Sequence, residues 1–377
     1  MALAFSLMAC NKAPEETWAT STEKATESVT ETTTEKTTTT TTKKTEATSD
    51  NPLIDPNNPN ALNPLTGVQD MDPENEGKRP VGIAVGNAYN ACPQRGINEA
   101  DVICEYETEG GQTRLLCVFA DAKKIPEIGS VRSARIVATD LMAGMNAIFI
   151  SCGRNARVPE HTSAYGITHI DINDHSQYMW RNNSLPSYSR RNGWDNVLTD
   201  SEHVLSAIED LGVQYEDEVP LLFNFVPGKS ADIAKGQPCK SINVYFSTTN
   251  DDSLFEYNEQ TGLYEKSEYG VPHIDEMTDE PVAFENVIVI YANSVSHAPG
   301  TADKTIDVHF EFENTGFVRN GYYASEGKII PIFWEKMQPN DPLKIYDENG
   351  KEIEVNRGKS VICIVDDDCY EKTTIEG

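Results

Sequence analysis

The first fifty residues contain almost nothing from which a hydrophobic core could be built. Residues 11–50 are dominated by Thr, Glu and Lys, with TTTEKTTTTTTKKTEATSD as the clearest part and a single tryptophan. A segment of this composition buries too little apolar surface to offset the entropy lost on ordering, so we expect it to be disordered. Folding is therefore confined to the rest of the 377-residue chain, which is long enough for two domains.

The ten residues before this tract indicate export and lipid attachment. They read MALAFSLMAC, a short apolar run that ends in Leu-Met-Ala-Cys. Bacterial lipoprotein signals end in a Leu-x-Ala-Cys pattern of this kind, in which the small alanine fits the peptidase and the thiol of Cys10 accepts the lipid. The basic segment that normally opens such a signal is missing, so we expect the natural start to lie upstream. The alternative is an unmodified cysteine near a frayed terminus.

A second connector, residues 51–78, is rich in Pro, Asn and Asp and shows no periodicity. We therefore assign residues 1–10 to a signal remnant and residues 11–78 to a disordered tether followed by a linker. With Cys10 lipidated, the tether would anchor the folded body to the cytoplasmic membrane from outside, in the cell envelope. No later stretch approaches the roughly 20 apolar residues that a membrane-spanning helix needs.

Apolar periodicity predicts that strands and helices alternate from residue 79 to residue 229. A strand is predicted at Val81–Val85, and another follows in AIFISCG. Between these strands, apolar residues at three- and four-residue steps predict a helix: Ala134, Val137, Leu141 and Met145. A second helix is predicted in SEHVLSAIEDLG, with Ser201 as its cap and Gly212 as its end. We expect this region to be an N-terminal domain of layered sheets and helices, of the α/β or α+β class.

Residues 230–377 are instead expected to form a smaller, β-rich C-terminal domain. Two-residue alternation predicts strands in SINVYFS, NVIVIYA, TIDVHFEFE, KIIPIFWEK and LKIYDENGKEIEV. The last segment contains Asn349-Gly350, a dipeptide that favours a hairpin turn.

Four segments between Arg79 and Val365 carry a recognisable combination of motifs. They are RPVGIAVGNAYNACPQRGINEADVICEYETEGGQTRLLCVF, GSVRSAR, YYASEGKIIPIFWEK and YDENGKEIEVNRGKSVICIV. Together these segments resemble the YerB-like family of candidate lipoproteins from Gram-positive bacteria. The resemblance implies an α/β N-terminal domain, a smaller β-rich C-terminal domain and no established activity. The chain departs from the family where we expect Pro-His-Asn, because it has Trp194-Asp195-Asn196. A catalytic histidine at that position is therefore absent.

The charge of the chain excludes one class of partner. Acidic residues number 60 against 31 basic residues, which gives a formal net charge of -29. Such a field repels DNA, RNA and anionic lipid head groups, so we expect no nucleic-acid partner. The sequence contains neither a glycine-rich phosphate loop nor a Gly-x-Ser-x-Gly motif. A Ser/His/Asp arrangement that assembles only in space stays open.

The segment GSVRSAR, residues 129–135, predicts an anion site in this acidic chain. The helix that follows needs a cap, and Ser130 or Ser133 would accept a hydrogen bond from its first turn. Arginine is unfavourable at the positive end of a helix dipole, so Arg132 and Arg135 require an anionic partner. That partner is either a ligand carboxylate or phosphate, held by Arg132, Ser133, Arg135 and Arg114, or an internal carboxylate from Glu105, Glu107 or Asp140.

The segment VICEYETEGGQTRLLCVF predicts a β-hairpin. With Gly110-Gly111 as a two-residue turn, Glu107 would face Arg114, and Cys104 would face Cys117 within disulfide reach. The glutamates and Arg114 would then share one face. Glu105 and Glu109 are candidate catalytic acids or bases in a cleft. The alternative is a solvated face with a cross-strand ion pair.

One cluster could hold a metal ion. In HIDINDH, His169, Asp171 and His175 would share one face of a strand and could coordinate Zn²⁺ or a harder ion. The spacing matches no common zinc signature and the segment could equally be a loop, so we predict no metal and no other cofactor. The seven cysteines after Cys10 show no Cys-x-x-Cys motif and mostly lie in apolar runs, which indicates core positions.

Three functions are consistent with these observations. The first is a lipid-anchored protein that binds an anionic or peptide-like envelope ligand at the arginines. The second is an envelope hydrolase or transferase that uses Glu105 or Glu109 as acid or base. The third is a scaffold that docks an envelope protein through the C-terminal β domain, near Phe333-Trp334.

Overall fold

The computed structural model describes residues 51–183, 196–249, 252–293 and 320–377. Three sequence predictions fall on residues outside these ranges. They concern Cys10 with the Thr-rich tract, the Trp194-Asp195 departure and the strand TIDVHFEFE.

The described residues form three α-helices and 22 strands. The helices are α1 (Ile136–Gly144), α2 (Val158–Tyr165) and α3 (Ser201–Asp210). The strands are β1 (Val81–Gly86), β2 (Val102–Glu107), β3 (Thr113–Phe119), β4 (Ile128–Gly129), β5 (Ile148–Ser151), β6 (His169–Asp171), β7 (Trp180–Arg181), β8 (Val197–Thr199), β9 (Phe225–Val226), β10 (Gln237–Pro238), β11 (Ser241–Val244), β12 (Ser253–Asn258), β13 (Leu263–Glu268), β14 (Val271–Pro272), β15 (Ala283–Phe284), β16 (Asn286–Ala292), β17 (Asn320–Ser325), β18 (Lys328–Glu335), β19 (Lys344–Tyr346), β20 (Val355–Asn356), β21 (Ser360–Asp366) and β22 (Thr374–Glu376).

The mixed, sheet-rich fold agrees with the predicted class in its coarse form. Strands at Val81–Val85, AIFISCG, SINVYFS, NVIVIYA and KIIPIFWEK are confirmed by β1, β5, β11, β16 and β18. The turn at Asn349-Gly350 is confirmed, since the Gly350 N–H donates to the Asp347 carbonyl. None of the described helices is both long enough and apolar enough to span a membrane.

One 11-stranded sheet dominates the molecule. Its order is β10-β18-β17-β16-β21-β2-β3-β1-β5-β6, and β19 pairs with β18. Strands on both sides of residue 229 build it, and they meet where β2 pairs with β21 in parallel. The sheet is thus continuous across the predicted boundary, and the division into domains 79–229 and 230–377 stays a prediction.

Different elements cover the two faces of this sheet. Helix α1 packs on one face, with Leu141 and Met142 in the same apolar cluster as Cys104 of β2. A six-stranded sheet of order β14-β13-β12-β11-β22, with β15 paired to β13, contributes to the cluster on the other face. There Phe255 and Ile103 belong to one core. Because side chains of a strand alternate between faces, each residue of β2 is assigned to one of these two environments.

The expected connector over residues 51–78 is part of the folded body. Leu53, Leu65 and Met71 are buried in the cluster that contains α1. The Asn63 amide also donates to the Asp101 carboxylate at 2.8 Å. These apolar residues are irregularly spaced, so they pack onto the core without forming a periodic pattern. For that reason the sequence did not predict that residues 51–78 belong to the folded body.

The predicted cap of α3 is wrong by one residue. Asp200, not Ser201, caps the helix, and its carboxylate accepts from the His203 N–H at 3.0 Å. Helix α3 ends just before Gly212, whose φ of +63° is the left-handed conformation that favours glycine.

Candidate anion-binding site

The hairpin of β2 and β3 has a register one residue away from the predicted one. Tyr106 pairs with Arg114, and Cys104 pairs with Leu116. The cause is the loop, because Thr108 and Gln112 close it by a backbone hydrogen bond of 2.7 Å and enclose three residues instead of two. The predicted pairing of Glu107 with Arg114 is therefore wrong.

This shift moves the predicted disulfide partners to opposite faces of the sheet. Cys104 lies in the cluster with α1, whereas Cys117 lies in the cluster on the other face. Both are free thiols. A slip of one residue inverts which side chains share a face, so the prediction that the two cysteines lie opposite one another on one face is wrong.

The same shift separates Arg114 from Glu105. Arg114 pairs with Tyr106 on one face, while Glu105 accepts a hydrogen bond from Thr113 Oγ1 on the other face at 2.9 Å. The expected single face of glutamates and arginine does not form. The hairpin instead carries a basic group on one side and an acidic group on the other.

Arg114 is the most unusual residue of the basic side. It is only 7% exposed, and its guanidinium donates to the carbonyl of Ser133. Burial and the neighbouring guanidiniums of Arg135 and Arg132 lower the pKa of Arg114 to about 9, so it remains cationic at neutral pH. Arg114 forms no ion pair with any carboxylate in the described part of the chain. A buried charge without a counter-ion is costly and rare.

Arg135 lies beside Arg114 and carries the one carboxylate of the site. Its Nη2 donates to Glu109 Oε2 at 2.5 Å, and its Nη1 donates to the Ala134 carbonyl at 2.8 Å. The side chains of Arg135 and Glu109 are 12% and 22% exposed. Arg135 lowers the pKa of Glu109, although burial opposes this. The site therefore contains an internal anion at its partly open side.

The segment GSVRSAR is extended and does not begin a helix. The Arg132 N–H donates to the Ala84 carbonyl of β1, and the Cys152 N–H donates to the Arg132 carbonyl. Helix α1 begins only at Ile136, with Arg135 in the cap position and no side-chain cap. The predicted caps Ser130 and Ser133 are wrong, because backbone hydrogen bonds to β1 and to the residues after β5 hold this segment in an extended conformation. Arg132 and Arg135 therefore do not share a helical face.

The local sequence nevertheless makes room for Arg132. A Cβ on Gly86, the last residue of β1, would lie 3.1 Å from Arg132 Cγ and 3.2 Å from Ser130 Oγ. Ser133 contributes its carbonyl to Arg114, and its hydroxyl donates to the Cys152 carbonyl at 3.3 Å. Glycine at the strand end thus lets the arginine segment pack directly against β1.

Two polar atoms in this cluster have no hydrogen-bond partner among the described residues. They are the hydroxyl of Tyr106 and Nε of Arg135, and both are buried. Tyr106 is fully buried, and burial raises its pKa to about 12 against the effect of Arg114 and Arg135, so the phenol stays protonated. Arg114, Arg132, Arg135, Tyr106, Ser133 and Glu109 form what we call the arginine cluster. It offers hydrogen-bond donors that the protein itself leaves unused.

The other side of the hairpin holds an acidic network in which the carboxylates are well bonded. Glu105 is fully buried and accepts from Asn87 Nδ2 at 3.0 Å and from Ser253 Oγ at 3.0 Å. Lys266 Nζ lies 3.3 Å from the same carboxylate. Burial raises the pKa of Glu105 to about 7, against the opposing effect of Lys266. The predicted solvated face is wrong at Glu105.

Lys266 also binds a second buried carboxylate, that of Glu268. Burial alone would raise the pKa of Glu268, but Lys266 and His273 hold it at about 2. Burial, followed by the charge of Lys266, lowers the pKa of His273, whose Nε2 lies 2.6 Å from Gln94 Oε1. Glu105, Glu268, Lys266, His273, Asn87 and Gln94 form what we call the carboxylate network.

Sequence reasoning missed Lys266, Glu268 and His273. Lys266 and Glu268 are two residues apart in β13 and so point to the same face, and both residues are buried. Charged residues at alternate positions normally indicate a solvated face. Their partner Glu105 is distant in sequence, so no local signal identifies the network.

The weak metal candidates are not brought together as ligands. His169 Nε2 contacts Ser151 Oγ at 2.7 Å, and burial lowers the pKa of His169 to about 4. The Asp171 carboxylate binds Arg154 and the Gly153 N–H instead. His175 lies beyond β6, near a short helical turn. Among the described residues, no group of His, Cys, Asp or Glu could hold a metal ion.

The expected docking surface near Phe333-Trp334 is also closed in part. Trp334 is 2% exposed, and its indole N–H donates to the Tyr291 carbonyl at 3.0 Å. Strand β18 pairs with β17 on one side and with β10 and β19 on the other. Strand β19 therefore pairs with β18 at Trp334 on one side, and β17 pairs with β18 as far as Phe333 on the other side.

Comparisons with known proteins identify relatives over most of the chain. Two sequence models described as "Protein of unknown function (DUF3048)" match, the N-terminal domain at residues 65–214 and the C-terminal domain at residues 242–362. "Putative lipoprotein YerB" of Bacillus subtilis (strain 168) is 28% identical over 296 residues, which is 75% of this chain and 84% of that protein.

A solved structure has the same fold. The crystal structure of the YerB protein from Bacillus subtilis superposes with a TM-score of 0.68 at 24% identity. The superposition covers 83% of this chain and 99% of the YerB chain. At this identity the similarity establishes the fold alone.

Proposed function

Because the chain belongs to the DUF3048 family, which is described as being of unknown function, we propose its function from the site: it binds an anionic ligand at the arginine cluster. The ligand is a carboxylate or phosphate group of a cell-envelope component, including a peptide with a free carboxylate. The arginine fork pairs with two oxygens of either group at once.

The observation that carries this proposal is the buried guanidinium of Arg114. It has no carboxylate partner in the described residues and lies beside the second guanidinium of Arg135. Two like charges in a partly buried place repel each other, and one carboxylate, that of Glu109, offsets only one of them. A bound anion would neutralise the second charge and give Tyr106 and Arg135 Nε an acceptor.

We further propose that the protein acts outside the cytoplasmic membrane, anchored through lipid on Cys10. The Leu-Met-Ala-Cys pattern supports this, as does the printed name of the Bacillus relative, a lipoprotein. Two or more acyl chains hold a protein firmly, whereas one holds it only marginally. Fractionation of cells that express the full gene should find the protein in membranes, and Cys10→Ser should release it. A Cys10→Ser protein that stays in the membrane fraction contradicts the anchor.

Acid–base catalysis receives less support from the same geometry. Two carboxylates with separated pKa values, those of Glu105 and Glu268, do share Lys266. However, Glu105 is completely buried and accepts hydrogen bonds from Asn87, Thr113 and Ser253. Glu109 is paired with Arg135. These contacts favour structural roles for both predicted catalytic glutamates.

Calorimetric titration tests the proposed binding. The folded body should bind inorganic phosphate or acetyl-alanyl-alanine, and Arg135→Gln and Arg114→Met should each weaken binding at least about tenfold, or about 1.4 kcal/mol. Arg357→Met is the matched control, because Arg357 donates to the Pro227 carbonyl at an exposed position away from the cluster. Equal affinity in all four proteins, or no binding by wild type, contradicts the proposal.

A further inference from the structure

The outward face of the six-stranded sheet carries a cavity of about 720 Å³. Its floor is a row of side chains across four neighbouring strands, since the register pairs Asn243 with Leu254, Leu254 with Ser267, and Ser267 with Pro272. All four residues line the cavity. Adjacent strands lie about 4.8 Å apart, so the row is about 14 Å across. The volume falls in the range of small-ligand sites, about 300–1,000 Å³.

This floor lies on the opposite face of the sheet from the core. Ile242 and Phe255, which adjoin Asn243 and Leu254 in the chain, are buried in the apolar cluster under the sheet. Because side chains alternate along a strand, Asn243 and Leu254 point outward, where both are half-buried. None of the residues that line the cavity belongs to the arginine cluster or to the carboxylate network. The cavity is therefore separate from both.

Two carboxylates line the cavity on either side of Leu254, those of Asp252 and Glu256. In an extended chain, Cα atoms four residues apart are separated by about 13 Å, so the two do not form one acidic cluster. Glu256 is exposed, and its carboxylate has no hydrogen bond or ion pair within the described ranges. Asp252 Oδ2 accepts from Asn243 Nδ2, while Asp252 Oδ1 has no partner among the same residues. Acceptors are therefore available to a ligand on both sides of an apolar centre.

The lining disfavours anions and suits hydroxyl groups. Its described residues include no lysine, arginine or histidine, and its two carboxylates repel a further negative charge. Lys372 is outside the lining, with its ammonium over the ring of Tyr245 at 4.6 Å from the centroid. A carboxylate only accepts hydrogen bonds, whereas the hydroxyl of Ser267 can donate or accept. A sugar ring carries hydroxyl groups around an apolar C–H face, which matches such acceptors beside Leu254 and Pro272.

We propose that this cavity is a second ligand site, independent of the arginine cluster, that binds a short uncharged saccharide chain. The central ring packs over Leu254 and bonds to the hydroxyl of Ser267. Hydroxyl groups of the rings on either side donate to Asp252 and Glu256. A small cation would satisfy one carboxylate at a time, whereas a chain of hydroxyl-bearing rings reaches both.

Two neutral trisaccharides serve as probes, N,N′,N″-triacetylchitotriose and maltotriose. Each is titrated into the nitrogen-15-labelled full chain while the backbone amide resonances of Leu254 and Ser267 are followed. At least one trisaccharide should shift both resonances and saturate with a Kd on the order of 1 mM. The Kd should be the same at low and high salt, because an uncharged ligand is not screened by ions.

Spermidine is the cationic comparison in the same titration. If neither trisaccharide shifts these two amides, the proposal is overturned. Saturable binding of spermidine alone, lost at high salt, would likewise overturn it and assign the cavity to cations.

Replacing one carboxylate provides the second measurement. Glu256→Gln keeps the shape of an exposed side chain and removes its charge, so the trisaccharide should bind at least about threefold more weakly. Glu259→Gln is the matched control, at an exposed glutamate in the turn between β12 and β13 and outside the lining, and should bind as wild type does. Equal affinity in the two variants contradicts the site.

A variant that fills the floor completes the test. Ser267→Trp should abolish trisaccharide binding, whereas Gln260→Trp, at an exposed turn residue outside the cavity, should leave it unchanged. Thermal unfolding shows whether both tryptophan variants are folded, and the glutamine pair decides if Ser267→Trp is not. Trisaccharide binding that persists in folded Ser267→Trp overturns the proposal.

Discussion

The two sides of the β2–β3 hairpin hold charged residues in opposite ways. On one side, Arg114 is buried without an ion pair in the described residues, and the Tyr106 hydroxyl there has no partner. On the other side, Glu105 is buried with hydrogen bonds from Asn87, Thr113 and Ser253 and an ion pair with Lys266. Tyr106 and Glu105 are neighbours in β2. Tyr106 thus lies in a site with unused hydrogen-bond donors, whereas the carboxylate of Glu105 lies in a site that supplies it with several donors.

This contrast distinguishes charged residues that stabilise the fold from charged residues that bind a ligand. Burying polar groups costs free energy unless they are bonded, so a fold keeps well-bonded networks for stability. The arginine cluster instead keeps the Tyr106 hydroxyl and Arg135 Nε without a partner among the described residues, and a bound anion would complete them. We therefore assign stability to the carboxylate network and binding to the arginine cluster, and the following variants test that assignment.

The largest expected effect is the loss of Lys266. Lys266→Met leaves Glu105 and Glu268 buried without their shared cation, and breaking a buried ion pair in this way costs about 3–5 kcal/mol. Urea unfolding should show this loss of stability. Lys240→Met, at an exposed lysine, should change the free energy of unfolding by less than about 0.5 kcal/mol. Equal stability of the two variants would mean that the network is not structural.

The pH dependence of stability should be the next largest effect. Burial raises the pKa of Glu105 to about 7 from an ordinary value of 4.5. Between these values unfolding releases a proton, so the free energy of unfolding falls as the pH rises, by at most about 3 kcal/mol. Below the lower value this contribution to stability is fully present, and above the upper value it is lost.

Comparing wild type with Glu105→Gln isolates this contribution. Asp101, whose pKa burial raises to about 6, is present in both proteins and cancels in the difference. The pKa of Glu268 is about 2, so it stays ionised and adds no slope near neutral pH. The difference in stability should therefore change from about pH 4.5 to about pH 7 and be constant above that range. A difference that does not vary with pH contradicts the assignment.

Removing Arg114 should affect stability far less than removing Lys266. Arg114→Met deletes a buried charge that has no ion pair and replaces it with an apolar chain, which is often neutral or stabilising. We expect the free energy of unfolding to change by less than about 1 kcal/mol, in either direction. A loss of about 3 kcal/mol or more would place Arg114 in the same structural class as Lys266 and remove the contrast.

The smallest effect concerns the internal anion. Glu109→Gln removes the carboxylate that competes for Arg135, so phosphate should bind about threefold more tightly. Glu107→Gln is the matched control in the adjoining strand and should leave the affinity unchanged. Weaker phosphate binding in Glu109→Gln would mean that Glu109 supports the ligand instead of mimicking it.

Local sequence predicted the strands well but could not fix how the hairpin pairs. Apolar patterning identified β1, β16 and β18: the first two are buried along their whole length, and β18 alternates between buried and partly exposed residues over much of its length. The loop around Gly110-Gly111 contains one residue more than predicted. Both glycines have positive φ, which a two-residue type I′ turn would also require, so the glycine pair does not distinguish the two loops. That single residue decides which side chains share a face. It is therefore the reason why Cys104 does not face Cys117 and why Glu105 does not share a face with Arg114.

The arginine cluster was partly predictable, whereas the carboxylate network was not. Arg132 and Arg135 stood out against an acidic composition, and the fold does bring Arg114 close to them. The reason given for the site, a helix start at Ser130 or Ser133, was wrong, since the segment is extended. Lys266 and Glu268 meet Glu105 only through the packing of two sheets, which no local pattern encodes.

The most direct test of the central assignment observes the guanidinium of Arg135 itself. Nitrogen-15-labelled protein is titrated with inorganic phosphate while the arginine Nε–H resonances are followed, with Arg135→Gln providing the assignment. We predict that the Arg135 Nε–H, which has no partner among the described residues, shifts and saturates at a phosphate concentration on the order of 1 mM, while the Arg357 resonance stays in place. An Arg135 resonance that does not move, or that moves no more than that of Arg357, would contradict the assignment of binding to the arginine cluster.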